Sequence, residues 1–352
     1  MAGCGSIHTR WVRCPASYRC PCCPRRSTST DRVARLTALL ESRYDTHITG
    51  STPFYEEAER AVYRVDRRDG LPWVVRLFPR ARSLERVLGA AVVLRHVEQQ
   101  GIPAERLVAA ADGSLVIDLD GCGVLVTRFI PGGRLDRSID RLRRLGEAVG
   151  LLHALPPVPD VDPFLSRRAG ALPKEDLAFA RACLTRIAGR VPRDLRDEYE
   201  DLRVALDATH DCEDLPHGLI HSDCHLANVL RTPGGHVVLF DWEGAGQGPR
   251  VADLGLLLYS CAIQAPYEPP GPTNLGRVDA VIDGYARCHT PSRAELDRLP
   301  DAARFRPAVI AARELAARVE QGQREDRTGW WTRYAEADAV ATCAQQALER
   351  YL

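Results

Sequence analysis

Lysine is almost absent. Of 352 residues only Lys174 is one, and Met1 is the sole methionine. Positive charge is therefore carried nearly everywhere by arginine, whose planar guanidinium binds oxyanions as a fork rather than as a point charge. An excess of charge of either sign is also missing, because 47 basic side chains balance 47 acidic ones. That balance argues against polyanionic partners such as nucleic acid or an anionic membrane surface. No apolar run approaches the roughly 18 residues of a membrane span. The basic stretch Met1 to Arg13 lacks the apolar centre of a secretory signal, so a cytoplasmic protein is expected. Internal repeats are missing too.

What is present fits two lobes. The hydrophobic fraction of 45% and the charged fraction of 27% suit a globular chain, and 352 residues exceed one ordinary core. Five of the twelve cysteines (Cys4, Cys14, Cys20, Cys22 and Cys23) fall near the start. They lack the paired ligand spacing of a zinc knuckle, and residues 1–30 are expected to be a disordered tail rich in Cys, Arg and Ser. The other cysteines stand singly, as small core hydrophobes do.

Asp31 to Tyr44 has helical spacing of Val33, Leu36, Leu39 and Leu40. Strand-like runs follow at 46–52, 61–67 and 73–78, the last two separated by the hairpin signal Asp69-Gly70. A helix is predicted from Ser83 to Gln100, closed by Gly101, and then further strands over 107–111, 115–118 and 123–130. From Leu135 onward helical patterning dominates, interrupted by one short strand-turn-strand segment between Asn228 and Trp242. The expected fold is α+β and bilobal: a small antiparallel-sheet N-lobe over 31–130 with one long helix, then a larger, mainly helical C-lobe over 131–352.

Chemistry concentrates between Gly218 and Tyr259. This stretch carries His221-x-Asp223-x4-Asn228, and Asp241 follows thirteen residues after Asn228. A two-residue turn at Gly234-Gly235 would pair Pro233 with His236 and set Asn228 directly opposite Asp241, about 5 Å away. An amide oxygen and a carboxylate so placed suit Mg²⁺, which takes few protein ligands and completes its shell with phosphate and water. Asp223, in a polar loop just before Asn228, can orient and deprotonate a hydroxyl. Positioning of that kind is most of what phosphoryl transfer asks of a protein.

This segment resembles the catalytic core of the aminoglycoside phosphotransferase and choline kinase family, written H-G-D-x4-N followed by D-W-E or D-F-E. The resemblance implies a protein-kinase-like fold and an ATP- and Mg-dependent kinase acting on the hydroxyl of a small molecule. It implies Asp223 as the catalytic base, Asn228 and Asp241 as metal ligands, and His221 as a support of the loop backbone. Asp253, in the helix that follows, would anchor the same loop. Ser222 departs from the usual glycine.

In the small lobe the same likeness calls for a cation on the third strand to hold phosphates. Arg76 is the only candidate, since Lys174 lies in the other lobe. Its partner glutamate on the helix would fall at Ala90, which is not acidic, and Glu85 is the nearest substitute. The phosphate loop would run from Gly50 to Ala61 without a G-x-G-x-x-G. The connector Val126 to Ile130 would bind adenine through its backbone, at Arg128 and Ile130. His153, ending its helix, reads as a satisfied core histidine.

Three readings stay open: a small-molecule kinase, a kinase of Ser or Thr on a peptide or natural-product precursor, and an inactive nucleotide-binding pseudokinase for which Ala90 argues. Between Gly271 and Leu352 twelve acidic residues and twelve arginines interleave. Such a surface does not suit polycationic aminoglycosides, so a neutral or modestly charged alcohol is the expected acceptor.

Overall fold

A computed structural model describes residues 29–57, 60–157, 162–263, 274–322 and 330–352. The cysteine-rich tail and its zinc reading lie outside the described residues.

In the small lobe α1 (Ser29–Tyr44) leads into β1 (Ile48–Glu56), β2 (Ala61–Arg67) and β3 (Gly70–Leu77). After them come α2 (Leu84–Gln99), β4 (Val116–Leu119) and β5 (Cys122–Arg128). The strands form one antiparallel sheet in the order β1-β2-β3-β5-β4. Strand alternation divides its residues between two faces. Tyr63, Val65, Trp73, Val75, Val124 and Val126 are buried on one face with Leu36 and Leu40 of α1. Val62, Val74, Arg76, Leu125 and Thr127 therefore share the other face, toward α2 and the second lobe. The Asp69-Gly70 hairpin is present as expected, with Arg67 paired to Gly70.

The strand predicted over 107–111 does not form. Only a single bridge joins Leu107 to Thr127. The backbone just before it is bonded elsewhere, since Leu239 N–H donates to Pro103 O and Glu105 N–H donates to Leu239 O. Just after it, Ala110 N–H turns back onto Ser114 O.

The larger lobe contains β6 (Gly133–Arg134), α3 (Ile139–His153), α4 (Pro173–Ile187), α5 (Arg196–Ala208), β7 (His217–Ile220), β8 (Val229–Arg231) and β9 (Val237–Leu239). It continues through β10 (Gly246–Pro249), α6 (Arg250–Ala262), α7 (Leu275–Tyr285), α8 (Arg293–Asp297), α9 (Leu299–Gln321) and α10 (Trp330–Leu348). Two small sheets, β6-β8-β9 and β10-β7, sit among the helices. β6, β7 and β10 have two to four residues, too short to show a period in the sequence.

α6 is buried along most of its length and lies directly against α9. Gly255 permits the approach, because a Cβ there would stand 2.4 Å from the backbone of Ala302. One apolar core runs from Val87 and Leu94 of α2 through Leu145 and Leu152 of α3 to Leu254 and Leu257 of α6, fastening the lobes together. Seven described cysteines are free, and four of them (Cys183, Cys212, Cys224 and Cys261) are buried. Burial pushes the thiols of Cys212 and Cys261 up to about 12, and both pack in the apolar core. Among the described residues no helix is long and apolar enough to cross a membrane.

Candidate active site

The loop after β7 is held from its backbone. Asp253, in the first turn of α6 and 2% exposed, accepts from His221 N–H at 2.6 Å and from Ser222 N–H at 2.8 Å. Two charge-assisted bonds from one rigid carboxylate fix two successive peptide planes. His221 Nε2 lies 3.0 Å from Phe240 O, and its ring rests on Trp242 with centroids 4.7 Å apart. His221 therefore ties the loop to the segment carrying Asp241. His153 is a buried core histidine, 2.9 Å from Tyr285 Oη, and its other nitrogen stands 3.5 Å from Asp253. It backs the carboxylate that pins the loop.

Ser222 adopts φ 66°, a left-handed conformation that glycine takes without strain and serine does not. Side-chain size is thus not what favours glycine here. The Ser222 hydroxyl also fills the space beside Gly244, where a Cβ would stand only 2.5 Å from it.

Asn228 Nδ2 donates to Asp223 Oδ2 at 3.1 Å and to Asp223 O at 3.0 Å, so the amide oxygen of Asn228 is turned away from Asp223. Burial alone would raise the Asp223 carboxyl, but His225, Arg306 and His221 outweigh it and hold Asp223 well below the usual carboxylate range. His225 Nε2 lies 3.4 Å from Asp223 Oδ2. Arg306, on α9, donates to Ser222 O at 3.3 Å, and its Nη1 stands 2.8 Å from the buried carboxylate of Asp176 as an ion pair.

The hairpin is shifted by one residue from its expected register. Val229 pairs with Leu239 and Arg231 with Val237, so Asn228 faces Phe240 and not Asp241. The turn is a three-residue loop, Pro233 to Gly235, with Gly235 at φ 79°. Asp241 lies one step beyond the ladder, where its own left-handed backbone (φ 67°, ψ 58°) turns the chain. Burial and Glu243 push its carboxyl above the ordinary value; Asp223 and Glu105 add to this, while Arg76 opposes it. An amide oxygen, a carboxylate and a local surplus of negative charge suit a hard divalent cation. No cluster of three or more His, Cys, Asp or Glu able to hold a metal occurs among the described residues.

On the sheet side Arg76 is buried, but its partner is not the expected one. Glu85 is exposed in the first turn of α2. The acid at Arg76 is Glu105, 2.7 Å away, in the segment between α2 and β4. Burial would weaken the Arg76 charge, yet Glu105 and Asp241 hold its pKa above the ordinary value. Glu243 in turn accepts from Arg82 at 2.8 Å and from Arg60 at 3.1 Å, joining the small lobe to the segment after Asp241. Lys174 is exposed in the first turn of α4.

The connector retains an open edge. Phe129 N–H donates to Pro72 O, on the β3 side, and Arg128 N–H donates to Arg106 O on the opposite side. By strand alternation Arg128 C=O and Ile130 N–H face that opposite side, beyond the Leu107–Thr127 bridge. Glu105 and Arg306 were not singled out in the sequence, and Glu243 entered only as the last residue of the D-W-E motif, with no role assigned. A clue existed for Glu105: an acid amid the apolar run Ile102, Pro103, Ala104 and Leu107, close behind a helix whose buried face carries none.

Residues 51–272 match the model of a family described as the phosphotransferase enzyme family. A homoserine kinase of Agrobacterium fabrum is 25% identical over 211 residues, which cover 59% of this chain and 62% of the relative. The chain thus spans about 62% of the length of the curated relatives it matches. Among solved structures, an amicoumacin kinase in complex with AMP-PNP, Ca²⁺ and Ami superposes with a TM-score of 0.61 at 19% identity, covering 92% of this chain and 96% of that one. A choline kinase from Streptococcus pneumoniae gives 0.57 at 14% identity, with coverage of 88% and 98%. These likenesses establish the bilobal protein-kinase-like fold.

Proposed function

The chain belongs to the phosphotransferase enzyme family, and we propose that it moves the γ-phosphate of ATP to a hydroxyl of a small molecule. The reading rests on one observation above all: Asp223 fixed by Asn228 on a loop whose backbone is pinned by Asp253. In this reading Asp223 orients the acceptor hydroxyl and takes its proton. A positioned base of this kind contributes about 10²–10⁴ in rate. Asn228 and Asp241 would hold Mg²⁺, which neutralises charge on the phosphates when bound. Arg76 takes the nucleotide phosphates with its guanidinium fork, and the Arg128 carbonyl and Ile130 amide read the adenine edge. His221 supports the loop and does not touch substrate.

The pseudokinase reading drew on the missing helix acid at Ala90. It loses that support, because Arg76 has a carboxylate partner in Glu105. For the acceptor, most arginines after residue 271 are spent in ion pairs such as Arg287–Glu147, Arg318–Glu198 and Arg350–Asp279. Arg306, bonded to Ser222 O, adds positive charge beside Asp223. That surrounding favours a neutral or modestly charged alcohol over a polyamine.

A coupled ADP-release screen across aminoglycosides, amino alcohols including homoserine, sugars and nucleosides tests the reading. Acceptor-dependent ADP release is the expected outcome. If Mg·ATP binds and no acceptor of any class raises ADP release, the transferase reading fails and the pseudokinase one stands.

A further inference from the structure

Glu105 occupies an uncommon place for an acid. It is 4% exposed, and each of its two oxygens is committed. Oε2 accepts from Arg76 Nη1 at 2.7 Å and from Thr127 Oγ1 at 3.0 Å. Oε1 accepts from the backbone N–H of Asp241 at 2.9 Å. Its own backbone is spliced onto β9, the strand that leads into Asp241. Glu105 N–H donates to Leu239 O at 3.1 Å, Leu239 N–H donates to Pro103 O at 2.8 Å, and Ala104 makes a parallel bridge to Leu239. Ala90 of α2, only 2% exposed, lines the same small cavity as Arg76, Glu105, Leu125 and Asp241. A longer side chain at position 90 would point into that space, where Glu105 already sits.

We propose that Glu105 is the positioning residue for Arg76 and Asp241, replacing a helix carboxylate by one fixed to the strand that carries the metal ligand. This rests on the kinase reading of the site above. A buried ion pair seldom adds net stability, because desolvating both charges costs about as much as their attraction returns. What the pair gives here is position. One carboxylate sets the guanidinium on β3 and, through its second oxygen, the peptide that starts the Asp241 turn. Because Glu105 is attached to β9 and not to α2, the phosphate-binding and metal-binding groups are registered to each other without regard to where the helix lies.

The test uses equilibrium binding of Mg·AMP-PNP and of adenosine to the full chain, with melting temperature recorded alongside, and needs no acceptor. Glu105→Gln keeps size and loses charge. It is expected to weaken Mg·AMP-PNP by about tenfold or more, the loss of one charge-assisted contact set, and to leave adenosine within twofold. Ala90→Glu added to Glu105→Ala, which vacates that space, is expected to bind Mg·AMP-PNP at least threefold more tightly than Glu105→Ala alone. Should Glu105→Gln fail to fold, Glu105→Asp retains the charge but cannot reach both partners, and is expected to show the same phosphate-selective loss, smaller in size. Unchanged Mg·AMP-PNP affinity in these variants, or equal loss for adenosine, overturns the proposal, the latter by marking a merely structural role. Absence of any recovery with Ala90→Glu overturns the claim that Glu105 stands in for a helix carboxylate. Failure of the wild-type chain to bind Mg·AMP-PNP would instead count against the kinase reading itself.

Discussion

The loop that carries Asp223 in the large lobe and Arg76 on the small sheet are each held by one buried carboxylate, Asp253 and Glu105, but the two are attached in different ways. Asp253 reaches the loop through two adjacent backbone amides, so the loop's shape depends little on the side chains it carries. Glu105 holds a side chain with one oxygen and a backbone amide with the other. Its effect depends on charge and reach together. The first arrangement is expected to tolerate substitution, since it holds Ser222 in a left-handed conformation. The second is not, and disturbing it would be felt in nucleotide binding before it was felt in folding.

Breaking the large-lobe side is expected to give the largest effect. Asp223→Asn should lower turnover by about 10²–10⁴ while Mg·AMP-PNP affinity stays within a few-fold, because base and phosphate contacts are separate. Near-wild-type turnover by steady-state kinetics would mean that another group is the base. Asp253→Ala removes the acceptor of two buried amides. A loss of about 3 kcal/mol of stability is expected by denaturant unfolding, two orphaned donors at roughly 1–3 kcal/mol each being partly relieved by water. A loss under about 1 kcal/mol would show that the loop is held by something else.

On the small-lobe side, Arg76→Ala should raise the KM for ATP by about tenfold or more, and Arg76→Lys should restore only part, since an ammonium cannot reproduce the fork. Full rescue by lysine would show that charge alone matters there. The smallest effect sharpens the contrast from the tolerant side. Ser222→Gly relieves the strain of φ 66° but frees the unfolded chain, so a net gain of about 0.5–1 kcal/mol is expected. A loss instead, read from the melting temperature, would assign the Ser222 hydroxyl a packing role against Gly244.

The same contrast governs what could be read in the sequence. Asp223, Asn228, Asp241 and Asp253 lie within one stretch, and local loops and a hairpin bring them together, so their spacing carried the information. The register slip shows the limit of that logic. Proposing a two-residue turn where Gly235 completes a three-residue one shifts every pair by a step, and Asn228 meets Phe240. Glu105 was not legible because it reaches Arg76 across the sheet face and Asp241 across the lobes, through a segment just ahead of the predicted 107–111 strand that docks on β9. The family resemblance pointed to α2 for the partner of Arg76, but a motif on a helix says nothing of an acid that arrives by tertiary contact.

Phosphorus NMR of the chain with Mg·ATP and the best acceptor from the screen, run beside Asp223→Asn, tests the central claim most directly. The expected result is a new phosphomonoester resonance growing in step with ADP in the wild type and nearly absent in the variant. ATP converted only to ADP and inorganic phosphate, or a phosphomonoester formed equally by both proteins, would contradict it.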